Sequence, residues 1–186
     1  NIVPWQMLAE RKGAEIRVLP FDEAGALRTD LLPSLVDERT RVVAVTQASN
    51  TLGTRPDLRT VVAAAHAVGA VVVVDGCQGV VHGGVDVRAM DCDFYAFSGH
   101  KLYGPTGIGV LYGKRELLER MPPFMGGGAM VDTVTFAKTT YAPVPLKFEA
   151  GTANFVGAIG LGEAVKFMQR FDPAEIEAHE ETLLRR

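Results

Sequence analysis

Ala70-Val-Val-Val-Val-Asp75 and, further on, Asp93-Phe-Tyr-Ala-Phe97 set the architecture of this chain. A run of β-branched residues without polar alternation reads as a central strand of a parallel sheet, covered on both faces. Working back from it, Asp57 to Val68 fits an amphipathic helix, and Gly69 stands where a helix C-terminal glycine belongs. Before that helix, Arg41-Val-Val-Ala-Val-Thr46 is a second strand with little alternation, expected to be buried on both faces. Ala14-Glu-Ile-Arg-Val-Leu19 reads as a further strand, Asp30 to Val36 as a short helix with Thr29 or Asp30 near its N-cap, and Lys12 as part of a helix end. Working forward, Ile108-Gly-Val-Leu-Tyr112 is a strand, Lys114 to Arg120 a helix, and Met121 to Val144, rich in Gly, Pro and Thr, a long loop. Asn154 to Phe171 is a helix, and Pro173 to Arg186 begins another.

Strands alternating with helices predict an α/β fold, a mostly parallel mixed sheet sandwiched by helices. The last strands follow each other too closely for full crossover helices, so one antiparallel member is expected. The chain has 186 residues, is 47% hydrophobic and 22% charged, and carries a net charge of −3. That balance suits a soluble domain and argues against nucleic-acid or acidic-membrane partners. No apolar run reaches membrane-spanning length. The two cysteines, Cys77 and Cys92, do not form a disulfide framework, and a reducing cytoplasm is the expected location. The start does not read as a signal peptide. It lacks Met, and the end stops inside a predicted helix, so the expectation is a segment of a longer protein.

Three strand ends carry polar residues: Gln47-Ala-Ser-Asn50, Asp75-Gly-Cys-Gln78 and Ser98-Gly-His-Lys101. In open α/β sheets, ligands bind beyond the carboxyl ends of the strands. A strand-end Asp alone is commonly a helix cap or a magnesium ligand, and a lone lysine is by default a surface residue. Arg41, Arg55 and Arg59 read as solvated surface. Together, Asp75, Ser98, His100 and Lys101 match one chemical need. Pyridoxal phosphate requires a lysine for its imine, a carboxylate for its pyridine nitrogen, and hydroxyl, imidazole or backbone donors for its phosphate.

Val74-Asp-Gly-Cys-Gln78 followed by the run from Asp91 to Tyr112, with Ser98-Gly-His-Lys-Leu-Tyr-Gly-Pro-Thr-Gly107 at its centre, resembles the class V aminotransferase superfamily. Within it, the run is most similar to group II cysteine desulfurases and their selenocysteine lyase relatives. Asn1-Ile-Val-Pro-Trp-Gln6, Ala48-Ser-Asn-Thr-Leu-Gly53 and Phe148-Glu-Ala-Gly-Thr152 fit the same pattern. The resemblance implies a fold type I large domain over residues 1–165, incomplete at its start. Residues 166–186 would begin a truncated small domain. It implies that Lys101 carries the imine, that Asp75 pairs with the pyridine nitrogen, and that Gln78 bonds the ring oxygen or imine region. Ser98 and His100 would hold the phosphate, and Asn50 would lie near the ring oxygen and the substrate carboxylate. Thr152 would reach the phosphate of the partner subunit's cofactor, so a homodimer is implied.

The implied activity of the complete enzyme is conversion of L-cysteine to L-alanine. Sulfur passes to an enzyme thiol for delivery to an acceptor protein, as in iron–sulfur cluster assembly. Selenocysteine lyase, aminotransferase and epimerase activities remain alternatives, as does a non-catalytic α/β scaffold. The family's ring-stacking histidine and first phosphate loop lie upstream of this chain, and its persulfide cysteine and substrate arginines lie downstream. Cys77 stands where a small residue such as Ala is expected, Cys92 reads as a packed thiol, and Ala153 replaces the usual Pro. No paired spacing among Cys77, Cys92, His66 and His82 suggests a metal. Gly104-Pro-Thr-Gly-Ile-Gly109 reads as a tight turn, and Gly126-Gly-Gly128 as a mobile loop.

Overall fold

Asp57 shows how local sequence sets an element in this chain. Its carboxylate accepts the Thr60 N–H at 3.2 Å and the Thr60 hydroxyl at 2.6 Å, capping a helix that ends at a left-handed Gly69 (φ +74°). The fold is given by a computed structural model that describes residues 2–185. Its helices are α1 (Val3–Lys12), α2 (Leu32–Leu35), α3 (Leu58–Ala67), α4 (Val87–Met90), α5 (Arg115–Arg120), α6 (Phe155–Met168) and α7 (Pro173–Leu184). Its strands are β1 (Val42–Thr46), β2 (Val71–Asp75), β3 (Phe94–Ser98), β4 (Gly109–Gly113), β5 (Val131–Val134) and β6 (Thr139–Tyr141).

The main sheet has the order β1-β2-β3-β4. The pairs β1–β2 and β2–β3 are parallel, with Thr46 beside Asp75 and Asp75 beside Ala96. The β3–β4 pair is antiparallel, with Ser98 opposite Gly109. The predicted mixed α/β sheet, with one antiparallel member at the end, is therefore what the chain forms. Val61, Val62 and Ala65 of α3 are buried, and Val62 and Ala65 pack with Val72 and Val74 of β2, Cys92 and Tyr95 in the main core. A second cluster joins Leu102 and Val81 to Leu161 of α6.

Three expectations are corrected. Residues 14–19 form no strand; Ile16 and Val18 are exposed, and no ladder is available to them among the described residues. Their β-branched character is a tendency that needs a neighbouring strand. Strand β1 is not buried on both faces, because it is the edge of the described sheet; Val42 is exposed. The 121–144 stretch is not all loop, since β5 and β6 pair antiparallel within it. The predicted helix end at Lys12 is where α1 closes, and Gly13 takes a left-handed conformation after it. The motif residue Asn1 lies outside the described residues, as does Arg186. No helix among the described residues is long and apolar enough to cross a membrane.

Candidate active site

Parallel pairing of β1, β2 and β3 puts their carboxyl ends on one edge of the sheet. Asp75 closes β2 there. Ser98 closes β3, and the chain continues directly into a 3-10 turn, Gly99–Leu102, that carries His100 and Lys101. The geometry thus places Asp75 and Lys101 on the same edge, as the sequence predicts. Asp75, Gln78, Ser98 and Lys101 are half-buried, whereas His100 and Asn50 are exposed.

Two contacts show how closely these strand ends meet. The Cys77 N–H donates to Asp75 Oδ1 at 3.1 Å, which orients the carboxylate at the strand exit. Across the β2–β3 boundary, Cys77 Sγ stands 3.9 Å from Ser98 Oγ. A carboxylate, a thiol and a hydroxyl therefore share a small region at the edge.

The turn that presents Lys101 is fixed by packing on either side of the lysine. Leu102 is 7% exposed and packs against Leu161 and Val81. Gly99 donates its N–H to Ile108 O at 2.8 Å and accepts from Gly104 N at 3.0 Å. A Cβ on Gly99 would stand 3.0 Å from Ile108 Cγ2 and 3.1 Å from Ile108 O, so the Ser-Gly-His sequence needs its glycine for closeness. Other lysines are engaged elsewhere. Lys114 pairs with Asp91 and Asp93, Lys166 with Glu163, and Lys147 donates to the carbonyls of Glu119 and Met121.

Asn50 lies in the turn after β1, where its side-chain oxygen accepts from the Thr51 hydroxyl at 3.4 Å. Thr152 is exposed on the bend before α6, beside Gly151, whose N–H donates to Gly128 O at 2.9 Å. It belongs to a different element from the strand-end group. Among the described residues, no group of three or more His, Cys, Asp or Glu side chains is placed to hold a metal ion. Two grooves, of about 630 and 350 Å³, lie elsewhere. The first runs between the end of α5 and β6, the second beside the exit of β1 around Phe21 and Leu52.

Beneath the edge, Tyr95 has a polar role that its place in the Asp93–Phe97 strand does not reveal, and its partner is the strand-end Gln47. The Tyr95 hydroxyl, on β3, donates to Gln47 Oε1 at 2.5 Å and lies 3.3 Å from the Gly76 carbonyl. Burial raises the pKa of this phenol well above its ordinary value, so it remains a donor. The available signal was the pair of glycines, Gly76 and Gly79, that bracket Cys77 and Gln78. A second polar group sits at the opposite edge of the sheet. Asp93, 6% exposed, accepts from Val72 N–H at 2.7 Å and lies 2.9 Å from both His66 Nε2 and Lys114 Nζ.

The donor set at the carboxyl edge fits a ligand with an aldehyde, a protonatable ring nitrogen and a phosphate. An amine, a carboxylate held at one oxygen, and a hydroxyl next to an imidazole supply one partner for each.

Comparison with known proteins identifies the family. The family model described as aminotransferase class-V matches residues 1–186. A cysteine desulfurase of Dickeya dadantii (strain 3937) is 58% identical over 186 residues, which is 100% of this chain and 45% of that protein. The crystal structure of the cysteine desulfurase CsdA (S-sulfonic acid) from Escherichia coli superposes with a TM-score of 0.91 at 51% identity, covering 93% of this chain and 43% of that one. The apo cysteine desulfurase of Thermococcus onnurineus NA1 gives a TM-score of 0.94 at 34% identity, over 99% and 46%. The chain spans about half the length of the curated relatives it matches.

Proposed function

The chain belongs to the class-V aminotransferase family, and from that premise we propose that it is the cofactor-holding part of a pyridoxal-phosphate-dependent cysteine desulfurase. The observation that carries this reading is the shared sheet edge: Asp75 at the end of β2, Ser98 at the end of β3, and Lys101 on the turn that follows. The relatives named above add the substrate class.

In this reading Lys101 Nζ would tether the cofactor covalently, Asp75 would pair with its ring nitrogen, Gln78 would bond its ring oxygen or the imine region, and Asn50 would lie near the ring oxygen and the substrate carboxylate. Ser98 and His100 hold its phosphate. The bound group supplies an electron sink next to the substrate Cα. The protein's part is positioning and proton transfer. Asp75 keeps a proton on the ring nitrogen, and Cys77 N–H aims the carboxylate that does so. Lys101 Nζ would be the base that moves the proton at the substrate Cα. The sulfur acceptor is a thiolate outside this chain.

The same reading makes residues 1–165 the large domain and residues 166–186 the start of a small one, with α6 spanning the join. It makes the working unit a homodimer in which Thr152 serves the partner subunit's phosphate. L-cysteine is the substrate, and sulfur goes on to an acceptor protein for iron–sulfur cluster assembly in the cytoplasm. Borohydride reduction of the pyridoxal-phosphate-loaded, full-length protein, followed by peptide mapping, tests the core of the proposal. Label at Lys101 is expected, and label at any other lysine would overturn it.

A further inference from the structure

The turn that follows Asp75 rests on two side chains from neighbouring strands. Gly76 and Gly79 are both buried. A Cβ on Gly76 would stand 1.9 Å from Tyr95 Cζ, and one on Gly79 would stand 2.0 Å from Gln47 Oε1. The phenol and the carboxamide therefore fill the space under the two ends of the turn. They are also joined, because the Tyr95 hydroxyl bonds Gln47 Oε1 at 2.5 Å and reaches the Gly76 carbonyl at 3.3 Å. That carbonyl also accepts from Val80 N–H at 2.9 Å, closing the turn. Tyr95 is 2% exposed. A phenylalanine would fill the same space without burying a hydroxyl, so the oxygen's contribution is direction rather than volume.

We propose that Tyr95 and Gln47 are positioning residues for the cofactor, forming a buried strut that sets the turn 76–79 and so fixes Asp75 and Gln78. The strut ties the exits of two strands to a third, since Gln47 leaves β1, Gly76 leaves β2 and Tyr95 lies within β3. Asp75 is coupled to it through the turn, whose Cys77 N–H the carboxylate accepts. This inference rests on the cofactor reading given above for the same edge.

Tyr95→Phe keeps the ring beneath Gly76 and deletes both hydrogen bonds. In the full-length protein, without cofactor, hydrogen exchange at the Cys77 and Val80 amides should accelerate about tenfold relative to Val73 and Val74. The Kd for pyridoxal phosphate, read from visible absorbance on titration, should rise about tenfold, the size of one net hydrogen bond. The pH titration of the visible band should shift as well, because it reports the ring's carboxylate partner. A purely structural loss would lower Tm and leave that titration in place. Gly79→Ala, which pushes Gln47 away from Tyr95, should move the same readouts and serves where Tyr95→Phe does not fold. Unchanged exchange at residues 77 and 80, or a Kd within about twofold of wild type with an unshifted band, would overturn the strut. A wild-type protein that fails to bind pyridoxal phosphate would overturn the cofactor reading and the positioning role with it, while the exchange rates would still report on the strut itself.

Discussion

Replacing Asp93 by Ala should destabilise the protein by about 3 kcal/mol, and the structure gives the reason for that size. Asp93 accepts from the Val72 N–H at 2.7 Å, and Val72 is 0% exposed, so water cannot replace the lost acceptor. An orphaned buried donor costs about 1–3 kcal/mol. His66 and Lys114 also lose a partner, but their side chains keep 30% and 23% exposure and can rehydrate in part. Lys114 in addition retains Asp91 at 2.7 Å. The ~3–5 kcal/mol seen when a fully buried ion pair is broken is therefore a ceiling. Asp93→Asn keeps an oxygen for Val72 and loses only the charge, so about half the effect is expected. Urea unfolding at pH 7 with an unchanged m-value would read both variants.

The pH dependence has a definite sign. Burial pushes the Asp93 carboxyl up, but the bonds from Val72, His66 and Lys114 outweigh it and hold its pKa below the usual range. Its contribution is thus present above the unfolded pKa of about 3.9 and is lost as the pH falls through the folded value. For Lys114, burial lowers the pKa, but the bonds to Asp91 and Asp93 raise it to about 12. That contribution is complete below the unfolded value of about 10.4 and disappears as the pH rises through about 12. An Asp93→Ala protein within about 0.5 kcal/mol of wild type at pH 7, or one less perturbed than Asp93→Asn, would refute the reasoning.

Other changes have equally definite outcomes. Lys101→Ala should abolish the visible absorbance and the borohydride-fixed label, whereas Asp75→Asn should retain the label and weaken the electron sink, seen as slower exchange of the substrate Cα proton by NMR. Asp57→Ala should cost about 1 kcal/mol in urea unfolding, the typical worth of an N-cap, because it removes the bonds to Thr60. In the folded protein without cofactor, a thiol reagent should modify the half-buried Cys77, whereas Cys92, fully buried and with a pKa raised by burial, should react only on unfolding.

Much of this fold is legible where the signal is local. The valines of β2 need cover on both faces, Asp57 caps α3, Gly69 ends it, and the short gap before β4 leaves room only for an antiparallel return. What is not legible depends on whether a strand partner stands beside the segment or on the composition that surrounds it. Residues 14–19 have strand-forming side chains, but no described strand runs beside them. In β5 and β6, Val131-Asp-Thr-Val134 and Thr139-Thr-Tyr141 are good strand formers, obscured by the Gly- and Pro-rich sequence around them.

The same division runs through the polar groups of β2 and β3, and it follows from which end of the strand they occupy. At the carboxyl edge, Asp75, Ser98, His100 and Lys101 sit at or directly after the strand residues that announce them, so parallel pairing alone brings them together. At the amino edge, His66 closes α3, Asp93 precedes β3 and Lys114 follows β4, and only the antiparallel return of β4 puts Lys114 beside Asp93. The first set is half-buried or exposed. The second surrounds a 6%-exposed carboxylate whose partners all come from the protein itself. A sheet whose strands are anchored by charge at one end can carry carboxylate, hydroxyl and amine in a less buried setting at the other. The buried charge just before β3 thus serves stability, and the proposed chemistry falls to the less buried groups at the other edge.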